Sequence, residues 1–255
     1  MPPHLPFASD RPIFFVSDVH LQPSDASDSP LVRDLHAFFA HVEAAGAELF
    51  ILGDLFDFWF EYRHAVLRSY LPTLQALQHL ATAGVPVTFI PGNHDFWAGE
   101  ALEMFGVRIA RGPLRLSLHG RSALLAHGDG IAVREPWTHA FRTLVHSRLA
   151  IAAFRLLSPD IGVPLAVGIS RISRHFSGTR PVDAGAVQRQ LTAALGLGGV
   201  DLSVVGHYHQ PTHVQSDGRD FAIIADFYQR RTYARLDNGV FSLQRWDRSD
   251  AIRAG

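Results

Sequence analysis

The 255-residue sequence contains no cysteine, and this excludes a disulfide framework, a thiolate metal site and thiol catalysis. It also contains no lysine, so all 23 basic residues are arginine. The planar guanidinium group suits phosphate, but the bias covers the whole chain and genomic base composition explains it more simply. A net charge of −1 provides no global polycation for binding nucleic acid without sequence preference, so no nucleic-acid partner is expected.

Targeting and membrane-spanning signals are also lacking. The first twelve residues, MPPHLPFASDRP, contain no basic segment followed by an apolar run, so no signal peptide is expected. The stretch 149–170 is very apolar, but Arg155, Asp160 and two prolines argue against a membrane span. The composition, with 47% apolar and 18% charged residues, is that of a globular enzyme. The lack of cysteine fits a reducing compartment, and we expect a cytoplasmic location.

The first half of the chain alternates strands and helices. Apolar runs at 13–16, 49–52 and 85–90 predict buried strands. Ser29-Pro30 is typical of a helix start, and Gly46 is placed to end that helix. A second apolar stripe at helical spacing, which stops at Gly84, predicts another helix. This alternation predicts an α/β fold with partly parallel strand pairing.

In the second half, residues 114–118 and 122–126 predict a hairpin around His119-Gly120-Arg121, and 201–205 predicts a further strand. Runs at 221–225, 232–236 and 240–245 predict an antiparallel finish. The region from 134 to about 180 differs, because it has two apolar helical stripes, which Pro159 and Pro164 are expected to separate, and seven arginines. We therefore expect a single domain over residues 1–250 with a helical cap inserted at about 134–180.

Five short polar clusters carry the chemistry, and each closes a predicted strand. They are Asp18-x-His20, Gly53-Asp54, Gly92-Asn93-His94-Asp95, His127-Gly128-Asp129 and Gly206-His207-x-His209. Open α/β sheets place their ligand sites at the carboxyl ends of strands. An aspartate can bridge two cations, because a carboxylate has two oxygens with several lone pairs. Mixed nitrogen and oxygen ligands favour Mn²⁺, Fe²⁺ or Zn²⁺ over a Ca²⁺ site built only from oxygens.

These five motifs resemble those of the calcineurin-like metallophosphoesterase superfamily. The resemblance covers nearly the whole chain and implies a four-layer αββα sandwich with two divalent metal ions, for which Mn²⁺ is expected and Fe²⁺ or Zn²⁺ are alternatives. It also implies a water nucleophile and no covalent enzyme intermediate. The ligands implied for the first ion are Asp18, His20, Asp54 and His209, and those for the second are Asp54, Asn93, His127 and His207. His94 is expected to contact the substrate phosphate with Asp95 orienting it, so that the expected catalytic residues are His94, Asp95 and Asn93.

Within that superfamily, the sequence is most similar to the UDP-2,3-diacylglucosamine pyrophosphatases of lipid A biosynthesis. The supporting stretches are 51–59, with the sequence ILGDLFDFW, the apolar, arginine-bearing insertion, and 206–211, with the sequence GHYHQP. The best-known branch of these enzymes has arginine at the position of His94. Histidine at this position is the general superfamily pattern and also resembles a divergent branch of the pyrophosphatases.

The resemblance implies hydrolysis of UDP-2,3-diacylglucosamine to UMP and a diacylglucosamine 1-phosphate, by a protein held peripherally on the inner face of the cytoplasmic membrane. Arg171, Arg174 and His175 are candidates for binding the diphosphate or lipid headgroups, or else form a solvated polar face. Trp59 and Trp97 are candidates for stacking on uracil, or else pack the wall of the site. The apolar stripes of the insertion either accept acyl chains or pack onto the core.

Three other functions remain open at the level of sequence. The same metal site with a different cap would suit a soluble phosphodiesterase acting on cyclic nucleotides, or a protein phosphatase. A scaffold that has lost catalysis is the non-enzymatic alternative, although all seven ligand positions are filled. The sequence leaves the oligomeric state open.

Overall fold

A computed structural model describes residues 10–130, 147–177, 183–195 and 199–247. Its strands are β1 (Ile13–Val16), β2 (Glu48–Ile51), β3 (Val87–Phe89), β4 (Val107–Ile109), β5 (Leu114–Leu118), β6 (Arg121–Ala126), β7 (Leu202–Val205), β8 (Thr212–Ser216), β9 (Arg219–Ile223), β10 (Thr232–Asp237) and β11 (Val240–Arg245). Its helices are α1 (Pro30–Ala44), α2 (Leu71–Thr82), α3 (Glu100–Glu103), α4 (Arg148–Arg155), α5 (Pro159–Ser177) and α6 (Ala184–Leu195), with a 3₁₀ turn at Arg68–Tyr70.

The strands form two sheets that pack face to face. One sheet has the order β11-β10-β1-β2-β3-β4 and the other β5-β6-β7-β9-β8. Strands β1 to β4 are parallel, as are β6, β7 and β9, whereas β5, β8, β10 and β11 pair antiparallel. Buried side chains from both sheets, among them Phe15, Phe50, Leu125 and Val204, form one shared core.

Helices cover the two outer faces of this pair of sheets. Apolar residues of α1, α2 and α3 pack on the outer face of the six-stranded sheet. Val187 of α6 packs with Leu124 and Phe221 on the outer face of the other sheet. The architecture is therefore the predicted four-layer αββα sandwich.

Local signals explain two of the boundaries. The Ser29 side chain caps α1 by accepting a hydrogen bond from Val32 N at 3.4 Å, and Pro30 occupies the first turn, as predicted. The β5–β6 hairpin turns at His119 and Gly120, which have φ values of 48° and 74°. Two consecutive residues with positive φ are typical of the type I′ turn that suits hairpin twist, so this prediction is confirmed as well.

Four features differ from the predictions. The run at 221–225 was expected to join the other two runs in an antiparallel finish, but β9 lies in the other sheet and pairs parallel with β7. Strands β4 and β8 were not expected, because β4 has three residues and β8 exposes four of its five side chains, which removes the apolar signal. Both are edge strands. The predicted break at Pro164 is wrong, since this residue lies inside α5. The helix tolerates the loss of one backbone donor there, and only Pro159 marks a boundary.

Helices α4 and α5 lie in the region predicted to be a cap, of which 134–146 and 178–180 lie outside the described residues. A cluster that includes Phe58, Phe60, Trp97, Phe154 and Val163 packs these helices against the loops after β2 and β3. No helix among the described residues is long and apolar enough to cross a membrane.

Candidate metal centre

The loops after β1 and β2 run side by side at the carboxyl edge of the six-stranded sheet. Asp18 N donates to Gly53 O at 3.1 Å and His20 N to Asp54 O at 2.9 Å. A backbone bridge between Leu21 and Phe56 continues the pairing. These contacts bring the first two clusters together, and β3 delivers the third to the same edge. Strands β6 and β7 deliver the last two from the carboxyl ends of the five-stranded sheet, which packs against the first.

One group of potential metal ligands consists of Asp18, His20 and His209. Asp18 Oδ1 lies 3.3 Å from His209 Nε2 and 3.7 Å from His20 Nε2, and the two Nε2 atoms are 3.4 Å apart. Asp18 Oδ1 is buried and has no hydrogen-bond partner among the residues that the structure describes. A buried carboxylate oxygen that converges with two imidazole nitrogens fits a cation.

A second group consists of Asp54, His127 and His207, and Asn93 adjoins it. His127 Nε2 lies 3.3 Å from Asp54 Oδ2 and 3.2 Å from Asn93 Oδ1. Asp54 Oδ2 is also 3.8 Å from His20 Nε2 in the first group. All seven expected ligands thus meet in one place, with Asp54 between the two groups.

Five of these seven residues have a left-handed backbone. The φ values are 54° at Asp18, 50° at His20, 53° at Asp54, 69° at His207 and 54° at His209. Residues other than glycine adopt this region rarely, and strained conformations cluster at functional sites. In this structure, the strained backbone directs the donor atoms of these residues toward a common point.

Glycine is required beside three of the ligands. A Cβ atom on Gly53 would lie 2.5 Å from His127 Nδ1, and one on Gly206 would lie 2.7 Å from Asp18 Oδ2. A Cβ on Gly92 would lie 2.8 Å from the backbone nitrogen of Asp54. Any larger residue at these positions would displace a ligand.

Outer partners orient three of the imidazoles through Nδ1. His127 Nδ1 donates to Leu52 O at 2.7 Å. His20 Nδ1 lies 3.6 Å from Asp57 Oδ1, and His209 Nδ1 lies 3.8 Å from Asp226 Oδ2. In each case Nε2 faces the other ligands, as is usual for metal-binding histidine.

Asp226 was not among the predicted site residues, although the sequence contains a signal for it. Asp226 follows the predicted strand at 221–225, and the same strand-end rule that identified the other clusters applies to it.

His94 has a different partner from the one expected. Its Nδ1 atom lies 3.0 Å from Asp57 O and 3.6 Å from Asp57 Oδ1. Asp95, which we expected to orient His94, accepts hydrogen bonds from the backbone nitrogens of Gly92 at 2.8 Å and of Asp54 and Phe56 at 3.2 Å. Asp95 therefore stabilises the loops that carry the ligands, and Asp57 orients the imidazole.

Burial and opposite charges together set the ionisation of the cluster in the ion-free chain. Burial disfavours protonated His20, but the nearby carboxylates of Asp18, Asp57 and Asp54 outweigh it and raise the pKa to about 10. The pKa of Asp54 is lowered, because the neighbouring histidines His127 and His94 outweigh the effect of burial. Burial, reinforced by the charge of His127, lowers the pKa of His207 to about 4. The ionised carboxylates of Asp18 and Asp54, together with the imidazoles and the amide oxygen of Asn93, form a donor set that suits Mn²⁺, Fe²⁺ or Zn²⁺.

The structure describes the side chains of only some of the residues predicted to bind substrate. Trp59 is buried and stacks on Phe56 with ring centroids 4.6 Å apart, so it packs the wall of the site and is not accessible to a base. Trp97 is half-buried, and its ring centroid lies 4.9 Å from that of Phe60 and 5.7 Å from that of Phe154. The side chains of Arg171, Arg174 and His175, on α5, lie outside the described residues.

Comparison with known proteins identifies similar sequences along most of the chain. The family model described as Calcineurin-like phosphoesterase matches residues 11–211. A UDP-2,3-diacylglucosamine hydrolase of Stenotrophomonas maltophilia (strain K279a) is 31% identical over 249 residues, which cover 90% of this chain and 96% of the relative. A protein of the same name from Porphyromonas gingivalis (strain ATCC BAA-308 / W83) is 33% identical over 167 residues, which cover 64% of this chain and 63% of the relative.

Comparison with solved structures gives much lower sequence identity. A structure described as a novel archaeal phosphodiesterase is 12% identical, with a TM-score of 0.48, and the match covers 91% of this chain and 98% of that one.

Proposed function

Because the chain belongs to the calcineurin-like phosphoesterase family and is therefore a metal-dependent hydrolase, we propose that it hydrolyses UDP-2,3-diacylglucosamine to UMP and a diacylglucosamine 1-phosphate. The observation that carries this proposal is the match to a UDP-2,3-diacylglucosamine hydrolase, which spans 90% of this chain and 96% of the relative. Such a match includes α4 and α5 as well as the metal-binding motifs that the whole family shares.

In this proposal, Asp18, His20 and His209 hold one divalent ion, and Asn93, His127 and His207 hold the other. Asp54 holds both ions. The position of Asp54 Oδ2, which lies 3.3 Å from His127 Nε2 and 3.8 Å from His20 Nε2, supports this role. When bound, two Mn²⁺ ions supply Lewis acidity at the phosphoryl oxygens and lower the pKa of a water molecule. The fixed backbone of the ligands keeps the donor atoms in place during turnover.

His94 is the proposed contact to the phosphoryl group. Its backbone N–H donates to Asp54 Oδ1 at 2.9 Å, which ties the residue to the metal cluster. Its Nδ1–H donates to Asp57 O, so Nε2 is the nitrogen that we assign to the substrate. In the imidazolium form, Nε2–H stabilises charge on the phosphoryl oxygens or protonates the leaving group.

The surface of α4 and α5 supports a lipid substrate. Leu149 and Leu156 are 82% and 88% exposed, and Ile161 and Leu165 also expose most or half of their surface. Contiguous patches of exposed apolar side chains mark interaction surfaces, and these four residues lie on two consecutive helices. We propose that this face attaches the protein peripherally to the cytoplasmic face of the inner membrane, where its substrate resides.

Positive charge accompanies this apolar surface. Arg155 is exposed at the end of α4. Arg171, Arg174 and His175 of α5 are proposed to bind the substrate diphosphate or anionic headgroups, and Trp97 is proposed to contact the same substrate.

The aromatic cluster connects this surface to the chemistry. Phe58 follows Asp57 directly, and Trp97 lies three residues after His94. Both rings contact α4, since the ring centroid of Phe154 is 5.8 Å from Phe58 and 5.7 Å from Trp97. A substrate with its diphosphate at the metal centre and its acyl chains toward α4 and α5 would contact both regions.

A metal-reconstituted activity panel tests the proposal. The protein loaded with Mn²⁺ is assayed with UDP-2,3-diacylglucosamine, a cyclic nucleotide and a phosphopeptide, and we expect UMP release from the first to have the highest kcat/KM. A chromogenic phosphodiester reports on the metal centre whatever the natural substrate is. Faster hydrolysis of the cyclic nucleotide would instead support a soluble phosphodiesterase.

A further inference from the structure

The segment after β9 returns to the metal centre, although it lies beyond residue 211, where the match to the family model ends. Phe227 N donates to Ser17 O and Tyr228 N to Asp18 O, both at 3.2 Å. These bonds attach the segment to the loop after β1. They place the buried Asp226 behind His209.

The Asp226 carboxylate is held on three sides. Oδ1 accepts hydrogen bonds from Gln229 N at 2.6 Å and Arg230 N at 3.2 Å. Oδ2 accepts one from Arg230 Nη1 at 2.6 Å and lies 3.8 Å from His209 Nδ1. The carboxylate is therefore fixed by its own loop and presents its remaining side to the imidazole.

His209 needs such a partner more than the other histidines whose outer partners are seen. Its side chain is 35% exposed, compared with 5% for His20 and 1% for His127. Packing restrains the buried rings, whereas the ring of His209 depends more on polar contacts for its orientation. A carboxylate on Nδ1 favours the tautomer that leaves the Nε2 lone pair for a metal ion.

We propose that Asp226 is a positioning residue that orients His209 and so sets the affinity of the metal position formed by Asp18, His20 and His209. Arg230 holds the Asp226 carboxylate in place. The inference rests on the metal centre of the proposed function and is independent of the lipid substrate.

The variant Asp226→Asn tests this role. Asparagine keeps an oxygen to accept the two backbone N–H groups and removes the charge that faces His209. In isothermal titration with Mn²⁺, we expect the Kd of one ion to rise about 10–100-fold while the other stays unchanged. In electron paramagnetic resonance at limiting Mn²⁺, the signal of a coupled ion pair should give way to that of isolated Mn²⁺.

Asp220→Asn is the matched control. Asp220 is also buried between an arginine and a histidine, with Arg121 Nη2 and His213 Nε2 each at 2.6 Å. It lies at the amino end of β9, opposite the metal centre. This variant should lower the thermal unfolding temperature and leave both Mn²⁺ affinities as in the wild type.

A double-mutant cycle separates positioning from a general structural effect. In the His209→Gln background, Asp226→Asn should cause no further loss of Mn²⁺ affinity, because the ligand that it orients is already gone. An additive loss would overturn the proposal. If Asp226→Asn does not fold, Asp226→Glu, which keeps the charge but displaces it by one methylene, should weaken the same ion.

Failure of the proposal can be distinguished from failure of the metal centre. A wild-type protein that binds no pair of Mn²⁺ ions would overturn both. A wild-type protein that binds two ions, together with an Asp226→Asn variant of unchanged affinity, would overturn only the role of Asp226.

Discussion

Replacing Asp57 by asparagine tests whether one carboxylate orients two imidazoles. Asp57 is buried, and its Oδ1 atom lies 3.6 Å from Nδ1 of both His20 and His94. Asparagine preserves the size of the side chain and the backbone carbonyl that binds His94. The substitution therefore removes a charge without opening a cavity.

The geometry sets an upper limit on the free energy lost in this variant. A unit charge at 3.6 Å from a full positive charge contributes about 4–5 kcal/mol at an effective dielectric constant of roughly 20, and a neutral His20 that binds metal experiences less than this. The amide dipole recovers part of this, and the loss of outer-shell partners of metal-binding histidines costs about 10–100-fold in metal affinity or activity. That range corresponds to about 1.4–2.7 kcal/mol.

Two assays measure the two roles of Asp57. Titration with Mn²⁺ should show weaker binding of one ion, because of the altered orientation of His20. Hydrolysis of a chromogenic phosphodiester at saturating Mn²⁺ should still be about 10–100-fold slower, because His94 is also less well held. Wild-type metal affinity together with wild-type turnover, in a folded variant, would refute the assignment.

Four further predictions follow from the same site. His94→Gln should lower turnover about 10²–10⁴-fold with the Mn²⁺ content of the wild type, and loss of metal would contradict its assignment outside the ligand set. Asp54→Asn should abolish turnover and the binding of both ions, so an ion pair that survives in this variant would exclude a bridging role. Since the pKa of His20 is raised to about 10 in the ion-free chain, Mn²⁺ must displace its proton. The apparent Mn²⁺ affinity should therefore fall as pH falls, by about tenfold per pH unit for each displaced proton. Calorimetry in buffers of different ionisation enthalpy should detect the released proton. Phe154→Ala should lower the free energy of unfolding by about 1–3 kcal/mol and slow UMP release from the lipid substrate, whereas hydrolysis of the chromogenic phosphodiester should continue at the wild-type rate.

The elements that carry strong local signals were predictable from sequence. The cap of α1 at Ser29 and the hairpin turn at His119 depend on neighbouring residues only, so their chemistry is visible in the chain. Strands β4 and β8 were missed because short or exposed edge strands lack an apolar pattern. Pro164 was misinterpreted because a proline signal does not reveal whether a helix tolerates it.

The outer partners of the site were less predictable. Asp57 and Asp95 both lie near His94, and the family resemblance implied Asp95, its immediate neighbour in sequence, as the orienting residue. The conformation of the loops decided otherwise, since the Asp95 carboxylate points to three backbone N–H groups and Asp57 faces the imidazole. Such orientations depend on backbone angles that no short-range pattern encodes.

By itself, the sequence determined which donor atoms are available and at which strand ends they lie, because ligand chemistry belongs to residue types and strand ends follow from local apolar runs. Only the tertiary structure decided which donors converge. His20 and His209 are 189 positions apart, yet their Nε2 atoms lie 3.4 Å from each other. That proximity arises from the packing of two sheets and from left-handed backbone at the ligands, and both depend on contacts between residues that are distant in the chain.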